Sequence, residues 1–224
     1  MSVAASPIAT HQDGAGACAR ALLIAGVLLT LAGCATRPRA MSGDPAFEQA
    51  AEQRLSRYES ASFAQPNFSL RGRIGVSNGK DAGSAQFVWE QEDQRFDFTL
   101  EVSITGKRYA LRGREGAVEL VDAEGQVRTG FNAEQLLLEA TGWRVPVAEL
   151  RYWIRATRAP GAQARLKFAQ DGRLLQLRQS GWLVEYQRWQ DDSVLPVPLK
   201  MQASSGKNRV RVVIREWRSV PDID

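Results

Sequence analysis

Phe68-Ser69-Leu70-Arg71-Gly72-Arg73-Ile74-Gly75-Val76 and Phe96-Asp97-Phe98-Thr99-Leu100-Glu101-Val102 are the stretches that decide the fold. In both, apolar and polar residues alternate, so an extended chain turns one face to a core and the other to water. Between them, Ala85, Phe87 and Trp89 alternate with Gln86, Val88 and Glu90. Working outward, the same reading predicts strands at Lys107–Arg112, Ala117–Asp122 and Gln126–Thr129, and later at Ala164–Ala169, Leu174–Gln179, Trp182–Trp189, Leu199–Ala203 and Arg209–Trp217. Asn78-Gly79, Glu115-Gly116, Glu124-Gly125, Asp171-Gly172 and Ser180-Gly181 supply turns between several of them. Short alternating strands joined by such turns form an antiparallel meander.

Three segments change period. Pro45 to Ala61 places Phe47, Ala50, Ala51, Leu55 and Tyr58 near helical spacing, with Asp44 as N-cap and proline at the first helical position. Asn132 caps a second helix over Ala133–Thr141, stopped by Gly142, and a third is expected from Pro146 to Ala156, before Pro160-Gly161. The expected class is mostly β: one curved antiparallel sheet of ten or eleven strands forming an unclosed half-barrel, lidded by three α-helices. Such a sheet can surround an apolar ligand cavity, lined here by Phe87, Trp89, Phe98, Leu100 and Val102 with Leu137, Trp153 and Ile154 from the lid. The same residues can equally interdigitate as a dry core, and a one-residue slip would invert the face.

The N-terminus carries a separate message. Arg20 precedes an apolar run, Ala21–Leu31, too short to span a bilayer, and the run ends in Leu31-Ala32-Gly33-Cys34. A small-residue step directly before cysteine matches a lipoprotein-processing site; the bland alternative is an ordinary signal with a chance cysteine. On the first reading residues 1–33 are a signal peptide, with a true start downstream of Met1. Cys34 is then acylated, residues 34–44 form a lipidated tether, and residues 45–224 form the domain. Several acyl chains hold a membrane far more firmly than one. No aspartate follows Cys34 at the second position, where Thr36 stands, and this points to the outer membrane rather than the inner.

Composition removes most chemistries. The only histidine, His11, and one of the two cysteines, Cys18, lie in the segment to be removed, and Cys34 is committed to lipid. The remaining chain can build neither a Ser-His-Asp triad nor a histidine- or cysteine-ligated metal site, and it needs no cofactor. Carboxylate chemistry by Asp97 and Glu101 stays formally open, but those side chains alternate on the polar side of a strand. The net charge of +4 comes without a Lys/Arg block, so it suits an anionic membrane surface better than nucleic acid.

Ordered motifs along the chain resemble the LolB family of outer-membrane lipoprotein receptors. They are Leu70-Arg71-Gly72-Arg73-Ile74, Phe87-Val88-Trp89-Glu90-Gln91 and Arg95-Phe96-Asp97-Phe98-Thr99-Leu100. After these come Gly142-Trp143-Arg144-Val145-Pro146-Val147, Leu150-Arg151-Tyr152-Trp153-Ile154, Gln179-Ser180-Gly181-Trp182-Leu183-Val184-Glu185-Tyr186, Leu195-Pro196 and a last strand ending at Trp217. The resemblance implies a helix-lidded half-barrel, not an enzyme. It implies a monomer that accepts triacylated lipoproteins from a LolA-type periplasmic carrier and inserts them into the inner leaflet of the outer membrane. Alternatives are another lipid-carrying lipoprotein or a structural envelope lipoprotein. In this family the loop after the third strand carries a Pro-Leu-Gly step whose leucine promotes membrane insertion. Here it reads Ser103-Ile104-Thr105-Gly106-Lys107, and counting from Phe96 puts Ile104 in the leucine's place. The other option for Ile104 is the cavity mouth. A second departure is Ile154-Arg155-Ala156-Thr157, where the family tends to have glycine soon after the tryptophan.

Acylation has a direct test. A fatty-acid analogue fed to cells should label the processed protein, and Cys34→Ala should abolish the label; a labelled variant would remove this reading.

Overall fold

A computed structural model describes residues 44–190 and 195–219. The expected signal segment 1–33, Cys34 and the expected tether up to residue 43 lie outside the described residues. Helix α1 (Pro45–Phe63) starts where Asp44 accepts a hydrogen bond from the Ala46 amide at 2.9 Å. A first meander follows: β1 (Phe68–Ser77), β2 (Ala82–Glu92), β3 (Arg95–Val102), β4 (Arg108–Arg114), β5 (Ala117–Val121) and β6 (Val127–Gly130). Helices α2 (Ala133–Thr141) and α3 (Val147–Trp153) come next. A second meander closes the domain: β7 (Arg165–Phe168), β8 (Leu174–Gln179), β9 (Trp182–Gln190), β10 (Val197–Ser205) and β11 (Asn208–Ser219).

All eleven strands join one antiparallel sheet in the order β6-β5-β4-β3-β2-β1-β11-β10-β9-β8-β7. The first and last strands therefore pair at its centre, while β6 and β7 are its two open edges, joined in sequence through α2 and α3. This is the unclosed, helix-covered sheet that the alternation predicts. Phe68, Leu70, Ile74 and Val76 of β1 are buried with Phe96, Phe98 and Leu100 of β3, Val184 and Tyr186 of β9 and Val212 and Ile214 of β11. Leu137, Leu150 and Trp153 of the helices belong to the same apolar cluster. The core thus lies between one sheet face and the helices, as a one-sided antiparallel sheet requires.

Two local features depart from the sequence reading. Strand β2 begins at Ala82 rather than Ala85, because Ala82, Gly83 and Ser84 pair with Ser77, Val76 and Gly75 of β1 without needing apolar side chains. Helix α3 ends at Trp153, short of Ala156. Ala156 adopts φ +55°, and the amides of Arg155, Ala156 and Thr157 turn back onto Tyr152 and Trp153 carbonyls. The left-handed turn that glycine would make freely is thus made by alanine, at a cost of about 1–2 kcal/mol.

Gly72 marks the seam between β1 and β11. The register shifts beside it, and a Cβ there would collide with the Val213 carbonyl oxygen and the Phe87 ring. Gly72→Ala should destabilise the domain by about 2 kcal/mol through overpacking, read as a lower urea midpoint. An unchanged midpoint would show that the seam can shift to make room.

Candidate functional site

The covered sheet face is the natural candidate for an apolar site. Strand alternation sends Phe87, Trp89, Phe98 and Leu100 inward; none is more than 4% exposed, and Val102, nearer the end of the sheet, is half-buried. The Trp89 and Phe98 rings lie 4.8 Å apart, with Phe96 and Phe87 beside them. From the helical side come Leu137, Trp153 and Ile154, all buried, with Trp153 6.4 Å from Trp182. All eight residues sit in or against one apolar cluster. Exchanging these contacts for another apolar occupant requires side chains or helices to move.

How the helices are held decides which can move. Trp153 of α3 donates its indole N–H to Gln179 Oε1 on β8 at 3.1 Å, and its carbonyl accepts from the Tyr186 hydroxyl of β9 at 3.0 Å. Gln179 uses its full hydrogen-bonding capacity: Oε1 also accepts from the Ala159 amide at 2.9 Å, while Nε2 donates to the Ala159 and Ala162 carbonyls at 2.8 Å each. Just beyond α3, Arg158 forks onto the buried Glu59 carboxylate of α1, with Nη2 2.6 Å from Oε2, and that carboxylate also accepts from the Arg158 amide at 2.8 Å. The Arg155 guanidinium, also buried, donates to the Ser62 and Gln65 carbonyls at the end of α1 and stacks over Phe68. The Tyr58 hydroxyl sits 2.8 Å from the Arg155 carbonyl oxygen and 2.9 Å from that of Pro196. Helix α3 and the segment after it are bolted to α1 and the β8–β9 side by buried polar bonds.

Helix α2 is held differently. Among the described residues it makes no hydrogen bond or ion pair to the sheet; Ala133, Leu136 and Leu137 pack by apolar contact alone. Its polar bonds stay local: Asn132 caps it, Gln135 meets Glu139, and Arg144 pairs with Glu134 at 2.6 Å.

At one end of the sheet the β3–β4 loop forms a defined projection. Its base is closed by Val102 N–H to Lys107 carbonyl (2.9 Å) and Gly106 N–H to Val102 carbonyl (2.8 Å), with Gly106 at φ +68°. Ser103 N–H ties the loop to the Ser84 carbonyl of β2 at 2.8 Å. Ile104 stands at 90% exposure on this braced tip, and Lys107 beside it meets Glu124 at 2.9 Å. The carboxylates weighed for acid–base chemistry do not converge on a cleft. Asp97 accepts from Arg112 at 2.7 Å on the outer face, and Glu101 is exposed there. Among the described residues no cluster of three His, Cys, Asp or Glu is placed to hold a metal.

Sequence reasoning missed the bolts. Gln91 and Gln179 carried a usable signal, since each places a polar residue in an inward slot of an alternating strand. Gln91 spans the β2–β3 turn, accepting from Trp89 Nε1 at 3.1 Å and donating to the Asp93 and Arg95 carbonyls. Arg155, Arg158 and Glu59 offered none, because their contacts join distant parts of the chain.

The fold class is therefore a single unclosed antiparallel sheet with one apolar face covered by helices. A solved putative outer membrane lipoprotein-sorting protein domain from Vibrio parahaemolyticus shares the fold with TM-score 0.51, at 7% identity over 78% of this chain and 95% of that one. The family model for outer membrane lipoprotein LolB matches residues 66–217. Outer-membrane lipoprotein LolB of Xanthomonas campestris is 33% identical over 90% of this chain and 98% of its own length. That of Alkalilimnicola ehrlichii is 35% identical over 89% and 98%. The chain belongs to the LolB family. It is an outer-membrane lipoprotein and a non-enzymatic receptor in lipoprotein localization.

The buried phenols set an alkaline limit on the bolted side. Burial pushes the Tyr186 and Tyr58 hydroxyls well above their ordinary range, with the Arg155 cation partly opposing this at Tyr58. Raised folded values mean that their contribution is complete below about pH 10, where unfolded tyrosines keep their protons, and is lost as pH rises through the folded values. Urea midpoints should hold steady to about pH 9.5 and fall beyond pH 10. Tyr186→Phe should shrink that fall while costing about 1 kcal/mol at neutral pH for the lost bond to Trp153.

Proposed function

We propose that the domain accepts acylated lipoproteins from a LolA-type periplasmic carrier between its inner sheet face and α2, and passes them into the outer membrane. The observation that carries this is the asymmetry of the lid: α3 is bolted by buried polar bonds, whereas α2 closes over the apolar face by packing alone. Moving α2 exposes Leu136 and Leu137 and uncovers the β5–β6 side of the apolar face without stranding a polar group. An acyl chain entering there replaces one set of apolar contacts by another, so opening need be only transient and no nucleotide is required. Direction follows from differential affinity, the receptor binding better than the carrier and the bilayer better still. Acylated Cys34 and the tether of residues 34–44 keep the 45–224 domain beside its target membrane as a monomer.

Ile104 is assigned the delivery step. Its braced loop presents one aliphatic side chain at the end of the sheet, with Lys107 able to remain among headgroups. Burying an isoleucine contributes about 2 kcal/mol, too little to anchor a protein but enough to bias an encounter. With purified components, Ile104→Glu should leave acceptance from LolA near wild type and slow delivery into liposomes, so that loaded receptor accumulates. Equal loss of both half-reactions would place Ile104 in the fold or the cavity. Unchanged delivery would remove the loop's role, and a receptor that accepts no lipoprotein would favour a different lipid carrier or an envelope scaffold.

A further inference from the structure

Charge is divided along the sheet in a way that composition conceals. Strands β2–β6, one contiguous half, carry five Lys/Arg and five Asp/Glu. Strands β1 and β7–β11, the other half, carry eleven Lys/Arg against two carboxylates, Glu185 and Glu216. None of these charged side chains is buried, so they stand on the face turned away from the helices or at strand ends. In the balanced half, cross-strand partners neutralise one another, as Asp97 and Arg112 do at 2.7 Å. In the cationic half only Arg218 has a carboxylate partner among the described residues, Glu216 at 3.6 Å, while Glu185 accepts from Gln176.

Two cross-strand pairs make this costly to the free protein. Arg165 of β7 lies directly opposite Arg178 of β8, and Lys200 of β10 opposite Arg188 of β9. Like charges in register destabilise a sheet, and an anionic surface against them relieves the repulsion. Arg209 and Arg211 of β11 extend the same field toward β1.

We infer that this outer half-face is a docking surface for an anionic phospholipid bilayer. Two observations select a bilayer over an acidic protein. First, the chain is an outer-membrane lipoprotein, so the face is held near headgroups at high effective concentration. Second, the outward apolar side chains of this half, such as Leu183 and Val213, are half-buried among the cations, unlike the exposed anchors on which protein interfaces depend. Among the described residues the exposed large apolar side chains, Phe63, Ile104, Val127, Phe131 and Leu138, all lie off β1 and β7–β11. Docking by this back face turns the helix-covered side toward the periplasm, where cargo arrives. The contact is electrostatic and distinct from the apolar Ile104 tip.

The test uses the full-length, processed receptor reconstituted in vesicles with nitroxide-headgroup lipid. A fluorophore is placed at Ser204→Cys on β10 or at Thr99→Cys on β3 in the balanced half. Single labelling rests on acylation of Cys34 as proposed above; a second fluorophore on Cys34, seen by mass, would mark failure of that reading and not of this one. Replacing part of the phosphatidylcholine by roughly one-third phosphatidylglycerol should raise quenching at position 204 about threefold and leave position 99 nearly unchanged. Raising NaCl from about 0.05 M to about 0.5 M should erase the gain. Arg165→Gln, Arg178→Gln, Arg188→Gln and Lys200→Gln combined should also erase it, in a protein that melts no lower than wild type at low salt. Quenching indifferent to phosphatidylglycerol, or equal at both sites, would overturn the proposal. Quenching blind to lipid charge, with a probe shielded instead by added poly-L-glutamate, would assign the face to an acidic protein.

Discussion

Pairing of the first strand with the last is the constraint on which the rest of the molecule depends. β1 accepts β2 on one side and β11 on the other, so two meanders that are local in sequence become one sheet only when the chain's far ends meet. Until then each meander exposes half of an apolar face that no helix can cover. Gly72 permits the close approach at this seam, and the Phe68–Trp217 stack, with centroids 5.4 Å apart, covers one end of it. Such non-local closure folds slowly because loop entropy is lost before the contacts reward it.

The sheet then imposes the character of the interior. One apolar face and three helices leave little freedom except in how the helices are attached, and attachment here is graded. Buried hydrogen bonds are expensive to leave unmade, so α3 and the following segment resist displacement. Apolar packing is non-directional and can be exchanged for other apolar packing at little net cost. The proposed function, in which an acyl chain is held and then released, draws on both kinds of attachment in one lid.

Much of this was legible in the chain. Alternation located all eleven strands, and Asp44, Asn132 and Gly142 marked helix ends where caps form. Counting along β3 reaches Ile104 two residues past the strand's end, on the exposed turn. What escaped was non-local. Arg155 and Arg158 look like ordinary surface cations until the fold brings them onto α1, whereas the left-handed turn at Ala156 is local and falls in the stretch where the family tends to have glycine. The charge partition was equally hidden, since β1 joins the cationic half only once its pairing with β11 is known.

The open edges carry one more consequence. An unclosed sheet offers unpaired backbone groups at both margins, where further strands of any chain could add. Here the margins, β6 and β7, are the shortest strands, four residues each, and β7 also bears Arg165 and Lys167. A foreign strand would find a ladder too brief and, on one side, too cationic to hold. A receptor in lipoprotein localization is thereby shielded from being extended into a fibre by the strands of other chains.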